Sequence, residues 1–330
     1  MKYLCPRDFR RGEMEEYMEK LVRPHISPEK NQKKMQKDAI LKAIFRIAPI
    51  ISGGAIAVIV VFVFMRGVQP FLPGYANGQV NFLDFLFGTL WRQDQGIYGV
   101  GFIVINTLLT SFGALLISFP LSVLTALFIV KIAPKWLSKV MTTIVELLAS
   151  IPSVVYGVFA AGAITTLVIS LASSMGMSTA GGNSFLAVVL LLAIMIFPTI
   201  TSLSITAISS VDRALEEGSL ALGATKTQTN FKVVLIAAKS GIFAGAILGI
   251  GRAFGEATAV AMVAGNKMFG PTFNLFDITR TLTSTMLSGL KETTGLDYDI
   301  RFSVGLVLMV VILVSNLLLN LVKKKVGNMS

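Results

Sequence analysis

Two ionisable residues, Arg252 and Glu256, lie inside an apolar stretch that runs from about residue 236 to residue 264. That stretch is long enough to cross a hydrocarbon core of about 30 Å. A charge there costs on the order of 2.5 kcal/mol or more, so each residue needs the other, water or a ligand. If the stretch is one helix, the i, i+4 spacing places both on one face. The Arg252 guanidinium is then either a binding site for a passing oxyanion, with Glu256 keeping the guanidinium in place, or one partner of a structural ion pair.

A second set of candidates lies in the apolar stretch 136–172. Glu146 should face protein, water or a cation; it is either structural or, with a carboxyl pKa raised by burial, part of a pathway. Pro152 interrupts the stretch, and the Ser153 hydroxyl beside it could contact an anion. Pro120 interrupts an earlier apolar run in the same manner. We therefore predict structural breaks at both prolines, because proline removes a helical hydrogen bond.

The composition identifies the kind of protein that must position these residues. Of 330 residues, 54% are hydrophobic and only 14% are charged, which indicates an all-α polytopic membrane protein. We see no cleavable signal peptide and expect the first spanning helix to direct insertion. Cys5 and His25 are interpreted as solvated tail positions. We find no catalytic triad, phosphate-binding glycine loop or metal-ligand spacing, so we expect a protein that is not an enzyme and that binds no metal or cofactor.

The hydrophobic pattern predicts six crossings and a simple domain plan. The expected spans are 47–65, 100–130, 136–172, 185–208, 236–264 and 302–322. Residues 1–46 form a basic tail, which contains either a short amphipathic surface helix or no fixed structure. Residues 47–330 form the membrane domain, with a loop at about 209–235 on the inner side.

The distribution of positive charge predicts the orientation. With both termini inside, 22 of the 29 Lys and Arg residues fall on inner segments and six on outer segments, leaving Arg252 within the membrane. The polar segment 267–301 is then an outer loop. The net charge of +11 mainly reflects topology, and we expect no nucleic-acid partner.

The inner loop carries a motif with a known counterpart. Residues 217–223 read E-G-S-x3-G, and V-V-L follows at 233–235. This pattern resembles the EAA loop of binding-protein-dependent ABC importer permeases, with Gly218 and Ser219 in place of two alanines and Ile236 in place of a proline. In that family the loop forms a short helix that docks on the ATPase. The resemblance implies that the coupling residues are Glu217, Ala221, Leu222 and Gly223.

Three further stretches narrow the resemblance: FLFGTLW at 85–91, ELLASIPSVVYG at 146–157 and GRAFGEATAVAMVAGN at 251–266. Together they are similar to the PstC-type permeases of phosphate importers, from about residue 82 to the C-terminus. The resemblance implies a six-helix type I (MetI-like) permease fold in the plasma membrane. It also implies a PstA-type permease partner, a PstB-type ATPase dimer that holds ATP and Mg, an external phosphate-binding protein, and inorganic phosphate passing Arg252.

Alternatives remain at this stage. The chain could be a PstA-type permease. It could also be a permease for molybdate or sulfate, since a positively charged binding site suits these oxyanions as well as phosphate. A proton-coupled anion carrier using Glu146 or Glu256 is another class, although no internal duplication supports it. A third alternative is a membrane scaffold or phosphate-sensing component.

Overall fold

The computed structural model describes residues 28–327. The predictions for Cys5, His25 and a short helix near residue 14 lie outside the described residues. The chain divides into two units, Met1–Val61 and Phe62–Ser330. The domain boundary that the sequence places at residue 46 stays a prediction.

Helices dominate the described chain. In order, the elements are α1 Pro28–Val68, α2 Phe82–Phe87, β1 Trp91–Arg92, β2 Ile97–Tyr98, α3 Gly101–Leu127, α4 Lys135–Ser150, α5 Ser153–Phe159, α6 Thr165–Ser174, α7 Phe185–Ser209, α8 Arg213–Ala221, α9 Lys226–Thr229, α10 Leu235–Gly255, α11 Thr258–Val263, α12 Leu282–Leu287 and α13 Leu296–Gly327. The strands β1 and β2 form an antiparallel hairpin in which Trp91 lies opposite Tyr98.

Six helices of the described chain are long and apolar enough to cross a membrane, as the sequence predicts. They cover Lys37–Phe71, Gly101–Ile132, Ser153–Ser174, Phe185–Ser209, Lys226–Gly255 and Leu296–Lys324. The most buried of them is α7, which packs against both α3 and α10. The main hydrophobic core is therefore built around α7.

Close packing between α7 and α10 depends on small residues. Gly241, Gly245 and Gly249 recur every fourth position on α10, and a Cβ at Gly241 or Gly249 would come within 3.0 Å of α7 atoms. Membrane helices gain stability from such close approach because lipid supplies little hydrophobic driving force between them. This stripe fixes the distance between the two helices that carry the central candidate site.

The two prolines predicted as breaks behave differently. Pro152 separates α4 from α5, with extended backbone at Ile151 and Pro152, so this prediction is confirmed. Pro120 lies inside α3, which continues without interruption to Leu127, so that prediction is wrong. A proline removes only one helical hydrogen bond, and the packing of α3 along α7 offsets that loss.

Two span predictions also need correction. The third span begins at Ser153, because α4 is a separate helix before Pro152. The fifth begins earlier, at Lys226, and stops at Gly255; the chain then turns at Glu256 and starts the short helix α11. No proline marks this second break in the sequence.

The predicted outer loop 267–301 is not simply a solvated loop. Its residues Thr281 to Thr285 are almost fully buried, and α12 starts there with a capping box between Thr281 and Ser284. The Leu282 amide donates to Thr107 Oγ1 at 3.0 Å, and the Thr272 amide donates to Asn106 Oδ1 at 2.8 Å. The segment 272–282, which we call the outer segment, is therefore attached to one end of α3.

Candidate functional site

Arg252 lies near the end of α10, half-buried against α7. Its Nη1 donates to Thr199 Oγ1 at 3.1 Å, and Thr199 directly follows Pro198 on α7. In the part of the chain that the structure describes, no carboxylate oxygen lies within 4.0 Å of this guanidinium. Most of the five guanidinium donors are therefore available to a ligand.

Glu256 does not pair with Arg252, so the predicted shared helix face is wrong. The cause is the end of α10 at Gly255, which leaves Glu256 in extended backbone. Its Oε1 accepts from the Ala259 amide and from Thr258 Oγ1, both at 3.0 Å. The buried carboxylate thus satisfies an amide at the start of α11 that has no helical partner.

Three segments meet at Glu256. Ser153 Oγ lies 3.2 Å from Thr258 Oγ1, which in turn contacts Glu256. Thr283 Oγ1 donates to the Glu256 backbone oxygen at 2.7 Å. Gly157 also lets α5 approach α11 closely, because a Cβ added at Gly157 would lie only 2.9 Å from Ala259 Cα. The structure therefore brings Ser153 and Glu256 together through Thr258, which contacts both side chains.

Glu146 is not part of this cluster. It lies on α4 with an exposed side chain, and it forms no ion pair with any described residue. The expectation that it lies within the third span is wrong, because the break at Pro152 separates α4 from the spanning helix. No contact links it to Arg252.

At the other end of α10 the inner loop forms the predicted short helix. The helix α8 begins at Arg213, earlier than expected, with the Asp212 side chain accepting from the Ala214 amide. Gly223 has φ +85° and follows the helix end in a left-handed conformation, which is typical of glycine at this position. The predicted coupling residues all have exposed side chains or backbone, and Leu222 is 91% exposed. These residues form one surface at the end of α8, available to a partner.

Sequence reasoning missed two buried cations, because it treated Arg280 and Arg301 as ordinary outer charges. Arg280 is 7% exposed and donates through Nη2 to the Asn266 carbonyl at 2.9 Å. Burial, followed by the charge of Arg301, lowers the pKa of Arg280 to about 10. Arg301 is 2% exposed and donates to the Asp297 carbonyl. For Arg301 the sequence carries a weak signal, because Ile300 and Phe302 flank it, whereas Arg280 lies between two threonines and carries none.

Thr199, Thr258 and Thr283 were also missed. Hydroxyls are common in membrane helices; the contact of Thr199 depends on how α7 packs against α10, and the contacts of Thr258 and Thr283 depend on the break after Gly255, which the sequence does not mark. Among the described residues there is no group of three or more His, Cys, Asp or Glu side chains that could hold a metal ion.

Comparison with known proteins decides the family. The family described as "Binding-protein-dependent transport system inner membrane component" matches residues 118–328. The chain belongs to this family. It is a permease subunit of an ABC importer, and a multi-pass protein of the inner membrane.

Two relatives match this chain over similar lengths. The "Probable ABC transporter permease protein YqgH" of Bacillus subtilis (strain 168) is 39% identical over 256 residues, which cover 76% of this chain and 80% of that protein. The "Phosphate transport system permease protein PstC" of Pasteurella multocida (strain Pm70) is 34% identical over 277 residues, covering 75% and 84%. The similarity to PstC-type permeases that the sequence motifs indicate is confirmed.

Solved structures confirm the fold. A bacterial alginate ABC transporter, crystallised in complex with an alginate pentasaccharide-bound periplasmic protein, matches with a TM-score of 0.61 at 20% identity, over 89% of this chain and 97% of that one. The MetNI methionine ABC transporter in an inward-facing conformation matches with a TM-score of 0.51 at 20% identity, over 69% and 94%. The predicted MetI-like permease fold is therefore correct.

Proposed function

We propose that this chain is the PstC-type permease subunit of an ATP-driven phosphate importer. It forms the pathway with a PstA-type permease, while a PstB-type ATPase dimer binds ATP and Mg and hydrolyses the nucleotide. A phosphate-binding protein delivers the anion from outside, and both termini lie in the cytoplasm. The similarity to PstC of Pasteurella multocida over most of the chain supports this assignment.

The position of Arg252 is the observation that carries the proposal. A guanidinium that is half-buried in a membrane helix is costly, and its single described partner is the neutral hydroxyl of Thr199. Planar guanidinium donors match the oxygens of phosphate, so a passing anion supplies the charge that the site lacks. Serine and threonine hydroxyls around the nearby break offer further donors without a competing positive charge.

The exposed end of α8 is the proposed docking surface for the ATPase. Glu217 supplies charge, Leu222 supplies an apolar contact, and Gly223 supplies the turn. Because α8 leads through α9 into α10, movement of α8 is transmitted along the helix that carries Arg252. ATPase closure can then alternate the access to Arg252 between the two sides of the membrane.

Co-purification tests the docking surface. In the complex expressed with its ATPase, Glu217→Lys and Gly223→Leu should each remove the ATPase subunit from the purified permease. The matched control is Glu292→Lys, the same charge change at an exposed residue of the outer loop. Retention of the ATPase in both docking variants would refute the role of α8.

Uptake in proteoliposomes tests the substrate and the energy source. With the binding protein outside and ATP inside, labelled phosphate should accumulate, and excess sulfate or molybdate should not compete. Uptake that continues without the ATPase and follows a proton gradient would identify a secondary carrier instead. Competition by molybdate or sulfate equal to that by phosphate would contradict the substrate assignment.

A further inference from the structure

An ion pair joins α8 to the end of a different spanning helix. Lys131 Nζ contacts Glu216 Oε1, although the two residues are 85 positions apart. Lys131 lies in the π turn Phe128–Ile132 that ends α3, and Glu216 lies within α8. Their side chains are only 16% and 20% exposed. The pair is therefore largely shielded from solvent, unlike the surface ion pairs that contribute little.

The neighbouring charges have a different arrangement. Glu217 is the next residue on α8, and its side chain is exposed. Lys135 and Lys139 follow Lys131 on α4, and both are exposed. None of these three forms an ion pair within the described chain. The adjacent glutamates point in different directions, about 100° apart around the helix axis, with Glu216 toward Lys131 and the exposed Glu217 toward the proposed ATPase.

Besides its short connection to the end of α7, the helix α8 consequently has two further attachments to the membrane domain. One is the chain itself, supported by the contact of Ser219 Oγ with Thr229 Oγ1 at 3.0 Å, and it leads through α9 into α10. The other is the Lys131–Glu216 pair, and it leads into α3. Two attachments on different helices allow one movement of α8 to act on two parts of the permease.

The far end of α3 holds the outer segment. With 27 residues, α3 is about 40 Å long and so crosses the membrane. At that end the buried side chains of Asn106 and Thr107 accept from the amides of Thr272 and Leu282. A displacement of Lys131 along α3 therefore reaches the outer segment, and Thr283, the residue that directly follows this segment, donates to the Glu256 backbone oxygen.

We infer that the Lys131–Glu216 pair is a coupling link that transmits movement of α8 through α3 to the outer segment, in parallel with the route through α10. Lys131 and Glu216 are positioning residues, since neither touches the anion. This inference rests on the proposed docking of an ATPase on α8. It adds a specific requirement: opening on the outer side depends on a charge contact on the inner side.

The test measures phosphate uptake and ATP hydrolysis in the same proteoliposomes. Lys131→Glu and Glu216→Lys should each lower the phosphate imported per ATP hydrolysed by roughly fivefold or more, the range of typical coupling energies. Hydrolysis should continue, because the docking surface on the other side of α8 is unchanged. The double variant Lys131→Glu/Glu216→Lys restores the pair with reversed charges and should recover at least half of the parental ratio.

The controls separate this link from folding and from docking. Lys135→Glu changes the charge of an exposed neighbour and should leave the ratio unchanged. Co-purification of the ATPase with Lys131→Glu shows that docking is intact, whereas loss of the ATPase from Glu217→Lys tests docking itself. A parental ratio in Lys131→Glu, or no recovery in the double variant, would overturn the inference even if α8 is the docking surface.

Discussion

The permease treats buried charge in two different ways, at the break after α10 and at the outer ends of α1 and α13. We call the second group the outer charge cluster; it consists of Arg66, Tyr75, Gln93, Tyr98, Asp297, Asp299 and Arg301. There, Asp299 accepts from Arg66 Nη1 at 3.3 Å and from the Tyr75 hydroxyl. Asp297 accepts from the Tyr98 hydroxyl. By contrast, Arg252 has a single neutral partner among the described residues.

Arg301 donates three hydrogen bonds within the outer charge cluster, although its buried Nε has no hydrogen-bond partner in the described chain. With the Gln93 amide oriented to satisfy both partners, its oxygen accepts from Arg301 Nη2 at 2.9 Å and Nη1 at 3.2 Å. A third bond runs to the Asp297 carbonyl. The difference separates two roles of a charged side chain. A structural arginine that holds loops together has several fixed hydrogen-bond partners, whereas an arginine that binds a passing ion keeps unpaired donors.

The largest effect on stability is expected from Arg301→Ala. The change removes one of the largest fully buried side chains, three hydrogen bonds and the cation beside Asp297. We expect a loss of about 3 kcal/mol of unfolding free energy. Equilibrium unfolding of the purified complex in detergent measures this loss.

Arg92→Ala is the matched control for this prediction. Arg92 is exposed on β1, next to the buried Trp91, so its removal should cost less than about 0.5 kcal/mol. Equal effects of the two variants would contradict the view that the outer charge cluster is structural.

A smaller loss is expected from Glu256→Ala. The carboxylate accepts from the Ala259 amide at the start of α11, and loss of such a cap costs about 1 kcal/mol. Glu256→Gln keeps an accepting oxygen and should retain most of that stability. If Glu256→Ala unfolds like the parent protein, the carboxylate does not have the capping role that separates it from Arg252.

The smallest effect is expected for Tyr98, as a change of the free energy of unfolding with pH. Burial, and then the hydrogen bond to Asp297, raise the pKa of Tyr98 above its usual 10. Because the folded protein holds this proton more tightly than the unfolded chain does, the free energy of unfolding decreases as the pH rises above the unfolded-state pKa of about 10. The stability that depends on the protonated hydroxyl is present below pH 10 and is lost as the pH rises through the folded-state value.

Tyr98→Phe isolates this contribution. Unfolding of both proteins should be followed from pH 9 to the highest pH at which the parent protein stays folded. The stability difference between them should be constant up to about pH 10 and shrink above it. A difference that grows above pH 10 would contradict the assigned direction of the pKa shift.

Much of the fold followed from the sequence because lipid imposes strong constraints. Six apolar stretches, a glycine with positive φ after α8, and the break at Pro152 are each required by simple chemistry. The break at Gly255 was not predictable in the same way. An apolar run with no proline favours a continuous helix, and the interruption is stabilised by tertiary contacts: the Glu256 side chain caps α11, and Thr283 donates to the Glu256 carbonyl.

Part of the candidate site could also be predicted, because lipid makes a charged residue within an apolar run unusual. A charge in an apolar run is conspicuous, so Arg252 and Glu256 were found, but spacing alone suggested a pair that the break prevents. Glu146 was misplaced because α4 and the spanning helix read as one stretch. The Lys131–Glu216 contact joins residues 85 positions apart and depends on tertiary packing that no local pattern reports.

The central claim is that Arg252 is free to bind a passing phosphate, and Arg252→Gln tests it most directly. In proteoliposomes with the ATPase and the binding protein, we predict that ATP-dependent phosphate uptake falls about a hundredfold, the effect of removing a key anion donor. Assembly and stability should stay at parental values, and so should uptake by Lys239→Gln, which removes a charge elsewhere on α10. Parental uptake by Arg252→Gln would contradict the account.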